Sequence, residues 1–270
     1  GFAFISNSDT EVILASFAAW GTDAFKKFNG MFAFALWDAK QSTLYLVRDA
    51  AGIKPLYYAA DHNMLAFASE VKALKNITQL QQTNPYWQVY LMAYGHLPEP
   101  VTTLKYVKPL AKGTYLKYNI PEGKWNISIF NEYSYSVSIL KKDESIRFIR
   151  ETLSKAIKRH LLADAPIGVF LSGGLDSSII ALLANENSKS HLNTLSLYFI
   201  EAQYSEKKYQ DMVLHRLSCN HHQHLLSEQE FHNYFPHIIS DMDLPSTDGI
   251  NTWFISKYAK EVGLKAVLSG

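Results

Sequence analysis

The spacing of apolar residues changes character near the middle of this 270-residue chain. In the first half, short apolar runs separated by polar turn signals predict strands at 30–38, 43–49, 56–59 and 64–69. In the second half, strand-like runs alternate with segments of helical spacing, which is typical of a parallel sheet with crossover helices. The pattern therefore predicts two domains of different architecture.

The first half also contains two helical segments. Ser8-Asp9-Thr10-Glu11 stands before an apolar run and predicts a helix start, in which the simplest role of Asp9 is that of an N-cap. A second helix is predicted over 87–94. The predicted strands form an antiparallel meander, and two of them are apolar on both faces. A sheet covered on both sides, as in a layered α+β domain, is expected.

The second half begins with a helix that carries a periodic apolar face, formed by Ile146, Ile149, Leu153, Ile157 and Leu161. The elements that follow are predicted as strand 167–171, helix from 175, strand 194–199, helix from 205, a short strand near 224–226, helices at 228–240 and 251–262, and strand 265–269. Ligands of such sheets gather at the carboxyl ends of the strands.

The most informative stretch is Ser172-Gly173-Gly174-Leu175-Asp176-Ser177-Ser178, between a predicted buried strand and a predicted helix. Glycines at such a turn leave backbone N–H groups unobstructed where the positive end of the helix dipole favours an anion. Neither a Gly-Lys-[Ser/Thr] ending nor three spaced glycines are present, which excludes the two commonest phosphate loops. Because the loop has no lysine, other groups must stabilise the negative charge of a phosphate. We expect these to be the backbone amides, the hydroxyls of Ser172, Ser177 and Ser178, and a Mg²⁺ ion beside Asp176.

This stretch resembles the Ser-Gly-Gly-x-Asp-Ser loop of the ATP pyrophosphatases. A second, independent resemblance lies upstream, in 8–14, 28–35, 48–58 and 68–74, which look like the later part of a class II glutamine amidotransferase domain. In this order the two motif sets resemble the glutamine-hydrolysing asparagine synthetases of the bacterial B type. Ala50-Ala51 departs from that pattern, and we expect this to affect packing only.

The resemblance implies a fold class for each half. We expect a partial α+β layered, Ntn-hydrolase-like domain over 1–118, a linker over 119–142, and a partial α/β parallel-sheet domain of the adenine nucleotide alpha hydrolase-like type over 143–270. It also implies ATP and Mg²⁺ as cofactors and aspartate, glutamine and ATP as substrates, in a carbon–nitrogen ligase of amino-acid biosynthesis that proceeds through β-aspartyl-AMP. A homodimer is compatible with the resemblance.

By the same resemblance, Asp9 binds the α-amino group of glutamine, and Met31 and Ile53 line an ammonia passage. The residues expected at ATP or pyrophosphate are Leu171, Ser172, Gly173, Gly174, Asp176, Ser177, Leu197, Ser269 and Gly270, with Asp176 also at Mg²⁺. A role for His96 near the synthetase entrance is less favoured than a packed loop histidine.

We assign no catalytic residue within the chain. Glutaminases of this type use an N-terminal cysteine whose own α-amine is the base, whereas residue 1 here is glycine and Cys219 has no free amine beside its sulfur. The acidic residues that bind magnesium and aspartate are expected beyond Gly270. Both ends of the sequence look cut, so we expect a fragment that is inactive by itself.

Composition narrows the remaining classes. The net charge is +1 with acids and bases interleaved, which offers no electrostatic footprint for nucleic acid or a membrane surface. One cysteine permits no internal disulfide and fits a reducing, cytoplasmic location. The histidines at 215, 221, 222 and 224 lack the ligand spacing of a zinc site. Asp241, Asp243 and Asp248 flank a loop expected to point toward the nucleotide, where turn chemistry is favoured over ligation for Asp248.

Three alternatives stay open. The same scaffold serves amidotransferases that act on another carboxylate acceptor. A sulfur-transfer or tRNA-modifying ATP pyrophosphatase would require a basic surface and catalytic cysteines, which are absent from this sequence. A non-catalytic ATP-binding module would bind the nucleotide without turnover.

Overall fold

The computed structural model describes residues 2–136, 141–188, 191–201, 203 and 205–270. Two compact units make up the chain. Unit 1 comprises Gly1–Ser136 with Asp243–Ser246, and unit 2 comprises Val137–Met242 with Thr247–Gly270. Among the described residues, no helix is both long and apolar enough to cross a bilayer.

Unit 1 opens with a helix that is followed by strands and two further short helices. Its elements are α1 (Asp9–Trp20), a 3-10 turn (Gly21–Lys27), β1 (Ala33–Asp38), β2 (Thr43–Arg48), β3 (Tyr57–Ala60), β4 (Leu65–Ala68), α2 (Val71–Leu74), a 3-10 turn (Thr78–Leu80), α3 (Trp87–Tyr94), β5 (Lys108–Pro109), β6 (Thr114–Asn119) and β7 (Lys124–Ile129). Ser8 is the N-cap of α1, because its side chain accepts from the N–H of Thr10. The N-cap role assigned to Asp9 was therefore wrong by one residue.

The strands of unit 1 form two antiparallel sheets, of order β1-β2-β6-β7 and β4-β3-β5. The prediction of one meander was wrong between β2 and β3. The buried carboxylate of Asp49 accepts from the N–H groups of Ala51, Ile53 and Lys54, and this folds the connection into a compact loop instead of a hairpin. Residues 124–129, inside the predicted linker, form β7, while 137–140 of that linker lie outside the described residues.

Alternate residues of β2 enter different cores. Leu46 packs in a cluster with Leu110 and Leu116, whereas Tyr45 and Val47 pack in a cluster built around Phe25. Both faces of β2 are therefore covered, as its two-sided apolar pattern indicates.

Unit 2 alternates helices and strands. Its elements are α4 (Lys142–His160), β8 (Ile167–Phe170), α5 (Leu175–Asn187), β9 (Leu192–Tyr198), α6 (Lys207–Leu214), β10 (Cys219–Leu225), α7 (Glu228–Asp241), α8 (Gly249–Glu261) and β11 (Ala266–Leu268). The four strands pair in parallel in the order β10-β9-β8-β11. The predicted parallel sheet is confirmed, and β10 is longer than the short strand that was expected.

Two apolar clusters hold the helices of unit 2 on this sheet. One joins Val169 of β8 to Ala181 of α5 and Ile157 of α4. The other joins Leu195 of β9 to Phe254 of α8 and Ile238 of α7. The apolar face predicted for α4 is covered only near its C-terminal end, at Ile157 and the following Leu161, since the side chains of Ile146, Ile149 and Leu153 are exposed.

Candidate functional site

The predicted phosphate loop lies at the carboxyl end of a central strand. Leu171 follows β8 and is 1% exposed, and the chain then turns through Ser172 and Gly173 into α5. Gly173 has φ +94°, a backbone conformation that residues with a Cβ rarely adopt. Gly174 is the N-cap and offers no side chain to the first turn of α5. The two glycines thus allow the sharp change from strand to helix.

The hydroxyl groups of the loop bond to the loop itself. Ser172 and Ser177 share a 2.9 Å hydrogen bond between their Oγ atoms, and the N–H of Gly174 donates to Ser172 Oγ. Ser178 Oγ donates to the carbonyl of Gly174 at 2.6 Å. The motif predicts that these hydroxyls bind phosphate. It did not predict that they form hydrogen bonds within the loop. The hydroxyls shape the turn.

Unlike these hydroxyls, the first backbone N–H groups of α5 have no hydrogen-bond partners among the described residues of the loop. Among the described residues, none accepts a hydrogen bond from the N–H groups of Gly173, Leu175, Asp176 or Ser177. A 13-residue helix with unsatisfied N–H groups at its first turn favours an anion through both hydrogen bonding and the helix dipole. The loop therefore has the electrostatics of a phosphate site without a lysine.

A cavity of about 340 Å³ opens beside this loop within unit 2. Phe170, Leu171, Leu197, Phe199 and Ile255 form an apolar part of its lining. The polar part is formed by Ser172, Ser177, Glu206, Gln210, Asp248, Asn251, Thr252, Ser269 and Gly270. An apolar wall beside polar groups and a helix N-terminus suits a ligand with a flat ring at one end and anionic groups at the other.

Six of the nine predicted nucleotide residues line this cavity, and they come from three strand ends. Leu171, Ser172 and Ser177 follow β8, Leu197 belongs to β9, and Ser269 and Gly270 follow β11. Gly270 lies against the first turn of α5, where a Cβ would be 2.7 Å from the peptide nitrogen of Ser177. The remaining three, Gly173, Gly174 and Asp176, lie on the loop and the start of α5 outside that lining.

Asp176 is exposed at the first turn of α5. Among the described residues, no three His, Cys, Asp or Glu side chains are grouped as a ready metal cage. Mg²⁺ commonly takes one or two carboxylates together with substrate phosphates and water. A single exposed carboxylate next to unsatisfied amides fits that mode of binding.

Two polar residues of the site were missed by sequence reasoning. Ser196 Oγ is buried and donates to the carbonyl of Leu171 at 2.6 Å, which ties β9 to the residue that precedes the loop. Gln210 of α6 is 1% exposed and donates to two carbonyl groups of the loop and of β9. One signal in the sequence could have identified them. Each is a polar residue within a segment whose apolar pattern predicts a buried strand or helix face.

The acidic residues near 241–248 separate in the structure. Asp241 accepts from Trp253 Nε1, and Asp243 belongs to unit 1, where its carboxylate accepts from the N–H groups of Val71 and Lys72. Only Asp248, which precedes α8, lines the cavity. Of the three aspartates that flank the predicted loop, Asp248 is therefore the one that lines the cavity.

The histidines of β10 bond to different groups. His221 Nδ1 lies 2.8 Å from Thr194 Oγ1, and its Nε2 is buried with no partner among the described residues. Burial lowers the pKa of His221, and the nearby His222 lowers it further. His224 Nε2 instead contacts the carboxylate of Glu230 at 3.0 Å, and Glu230 also accepts from the hydroxyl of Tyr258.

In unit 1, Asp9 is exposed in the first turn of α1, and Met31 and Ile53 are 43% and 50% exposed. The buried carboxylate of Asp49 accepts from the N–H of Phe32, next to Met31, and from the N–H of Ile53. One side chain thus anchors both segments. Arg48 supports the same loop by donating to the carbonyls of Gly52 and Lys54.

Comparison with known protein families agrees with this division. Residues 1–130 match the glutamine amidotransferase domain family, and residues 148–270 match the asparagine synthase family. The class is thus an amidotransferase domain joined to a nucleotide-binding synthase domain. Together the two matches span most of the chain, and over nearly its whole length the chain is similar to glutamine-hydrolysing asparagine synthetases.

Three relatives illustrate the similarity. The chain is 31% identical to asparagine synthetase (glutamine-hydrolyzing) 1 of Bacillus subtilis, over 97% of this chain and 41% of that protein. It is 31% identical to a putative asparagine synthetase (glutamine-hydrolyzing) 2 of Methanocaldococcus jannaschii, over 98% of this chain and 52% of that protein. It is 27% identical to amidase chry2 of Gibberella zeae, over 100% of this chain and 42% of that protein. The chain spans about half the length of these relatives.

Proposed function

We propose that the whole protein makes asparagine from aspartate, ATP and glutamine. The observation that carries this proposal is the set of unsatisfied N–H groups at the start of α5, beside a cavity lined by six of the predicted nucleotide residues. The similarity to asparagine synthetases over 97% of the chain supports the same activity.

In this proposal the apolar part of the cavity takes the adenine ring, next to Leu171 and Leu197. The N–H groups of Gly173, Leu175 and Asp176 hold the β and γ phosphates. They are fixed in place by the turn and by the helix, so they stabilise the charge that develops as pyrophosphate leaves. The aspartate β-carboxylate attacks the α phosphorus to give β-aspartyl-AMP, and ammonia then displaces AMP.

Magnesium belongs to the proposal through the carboxylate of Asp176. When bound, Mg²⁺ supplies charge neutralisation at the phosphate oxygens. The cavity lining contains Glu206 and Asp248, and among the described residues no lysine or arginine joins them there. A divalent cation is consistent with this lack of side-chain positive charge.

Unit 1 takes the glutaminase part in this proposal, with the layered Ntn-hydrolase-like architecture that the resemblance implies. Asp9 is exposed and its carboxylate accepts no hydrogen bond from a described residue, so it is available for the α-amino group of glutamine. Met31 and Ile53 line the ammonia passage, anchored through Asp49. We further propose a cytoplasmic protein that acts on small molecules, without nucleic acid or membrane partners, and that forms a homodimer.

A second candidate is amide formation on another carboxylate acceptor. This candidate is supported by the similarity to amidase chry2, a relative that is not named as an asparagine synthetase. The two candidates share the nucleotide site and differ in the acceptor.

The test is release of pyrophosphate by the whole protein with ATP, Mg²⁺ and ammonia or glutamine. We expect release that depends on aspartate and forms asparagine and AMP in equal amounts. Asp176→Asn is expected to raise the Mg²⁺ concentration needed for half-maximal release. Release that ignores aspartate but responds to another carboxylic acid would favour the second candidate, and no release with any acid would refute both.

A further inference from the structure

Gln210 connects two strand ends at the nucleotide cavity. Its side-chain Nε2 donates to the carbonyl of Leu197 at 2.9 Å and to the carbonyl of Ser172 at 3.2 Å. Leu197 lies near the end of β9, and Ser172 is the first polar residue of the loop after β8. One amide therefore joins the loop to the neighbouring strand.

The orientation of this amide follows from its partners. An NH₂ group can donate to both carbonyls, whereas the opposite orientation would place Oε1 against two other oxygens. Oε1 is left buried with no partner among the described residues. A buried unpaired acceptor is unfavourable. The side chain thus donates two hydrogen bonds through Nε2, while its Oε1 accepts none from the described residues.

The backbone of α6 supports the same loop. A Cβ added to Gly173 would lie 3.1 Å from the peptide nitrogen of Gln210 and 3.2 Å from the carbonyl oxygen of Glu206. The loop consequently packs on the first turn of α6 while the side chain of Gln210 holds the carbonyl of Ser172. These contacts set the direction of the N–H groups that follow.

We propose that Gln210 is a positioning residue for nucleotide binding. It fixes the separation between Ser172 and Leu197, which lie at the phosphate and ring ends of the cavity. This inference rests on the proposed nucleotide site and adds a residue that acts through the loop. Loss of the two donated bonds lets the loop relax away from β9, so the amides at the start of α5 no longer face the phosphates together.

The test compares Gln210→Met, which keeps the length of the side chain but cannot donate, with Asn187→Leu. Asn187 is a matched control, because its amide also donates two hydrogen bonds, to Ser154 Oγ and to the carbonyl of Leu183, at the other end of α5. Calorimetry with ATP and Mg²⁺ on the full chain is expected to show at least tenfold weaker binding for Gln210→Met. Asn187→Leu is expected to bind as the wild type does, although both variants lose stability toward urea.

Gln210→Glu provides a readout that a purely structural role would not produce. Its ionised carboxylate has no proton to donate to the two carbonyls, whereas the protonated carboxyl can donate one hydrogen bond. Glu206, the N-cap of α6, and Asp248 before α8 line the same cavity and favour protonation of the new group. The affinity of Gln210→Glu, divided by that of the wild type at each pH, is expected to rise as the pH falls from 8.5 to 5.5.

Two results would overturn the inference while leaving the proposed function intact. One is a folded Gln210→Met variant that binds ATP within twofold of the wild type. The other is a Gln210→Glu affinity ratio that does not change with pH. A wild-type protein that binds no ATP would overturn the proposed function, and the inference with it.

Discussion

Replacement of Gly173 by alanine tests whether the loop is shaped by its packing on α6. The backbone at this position has φ +94°, and placing a Cβ in that region costs about 1–2 kcal/mol. The new Cβ would also lie 3.0 Å from Tyr209 Cβ and 3.1 Å from the peptide nitrogen of Gln210. Crowding of a packed site costs about 1–3 kcal/mol. The free energy of unfolding is therefore expected to fall by about 2–5 kcal/mol.

Gly263 provides the matched control for this substitution. It also has positive φ, at +81°, but nothing lies within 4 Å of an added Cβ. Gly263→Ala is therefore expected to show only the backbone cost of about 1–2 kcal/mol and unchanged ATP affinity.

The assay is urea unfolding of both variants, followed by calorimetry with ATP and Mg²⁺. We expect Gly173→Ala to be the less stable variant and to bind ATP at least tenfold more weakly than the wild type. Equal losses of stability at the two glycines, together with wild-type ATP affinity for Gly173→Ala, would refute the reasoning.

Two further predictions concern buried polar groups. Asp49→Asn should lower the free energy of unfolding by about 2–4 kcal/mol in urea, because it replaces one of two buried carboxylate oxygens, each accepting two N–H groups, with a donor. Asp38→Asn, whose exposed Oδ1 accepts from the N–H groups of Lys40 and Gln41, should cost under about 1 kcal/mol. The pKa of His221 is lowered from 6.5 by burial, so the unfolded chain takes up its proton first as the pH falls. Stability from neutral His221 is therefore complete above about pH 6.5 and declines below it, and His221→Asn should flatten that decline in urea titrations run from pH 8 to 5.

Each of these has an outcome that contradicts it. Equal destabilisation by Asp49→Asn and Asp38→Asn would mean that the loop after β2 does not depend on the buried carboxylate. A His221→Asn protein that loses stability below pH 6.5 as steeply as the wild type would mean that the imidazole has the same pKa in the folded and the unfolded chain.

Much of the second unit was predictable from local pattern. An apolar run before Ser172 and helical spacing after Gly174 predict a strand, a turn and a helix, because backbone geometry and side-chain period are properties of neighbouring residues. The same local reasoning located the loop at a strand end and predicted the parallel sheet. It could not show that Ser172 and Ser178 use their hydroxyls within the turn, since hydrogen-bond partners depend on atomic positions.

Strand partners were beyond such reasoning. β2 pairs with β6 and β8 pairs with β11, across about 70 and 100 residues of chain. A strand records which of its faces is apolar, but its partner is selected by the global arrangement that buries those faces and satisfies the backbone hydrogen bonds. This is why a single meander was predicted where two sheets occur.

The sequence by itself determined the identity of the loop, its place between a strand and a helix, and the two-part organisation of the chain. Tertiary structure alone decided which residues surround the loop, including Gln210 and Ser196, and which amides remain unbonded. The physical reason is the distance along the chain over which each effect acts. Propensity and periodicity act between residues a few positions apart, whereas a buried carbonyl accepts from whichever donor the packed fold brings within about 3 Å.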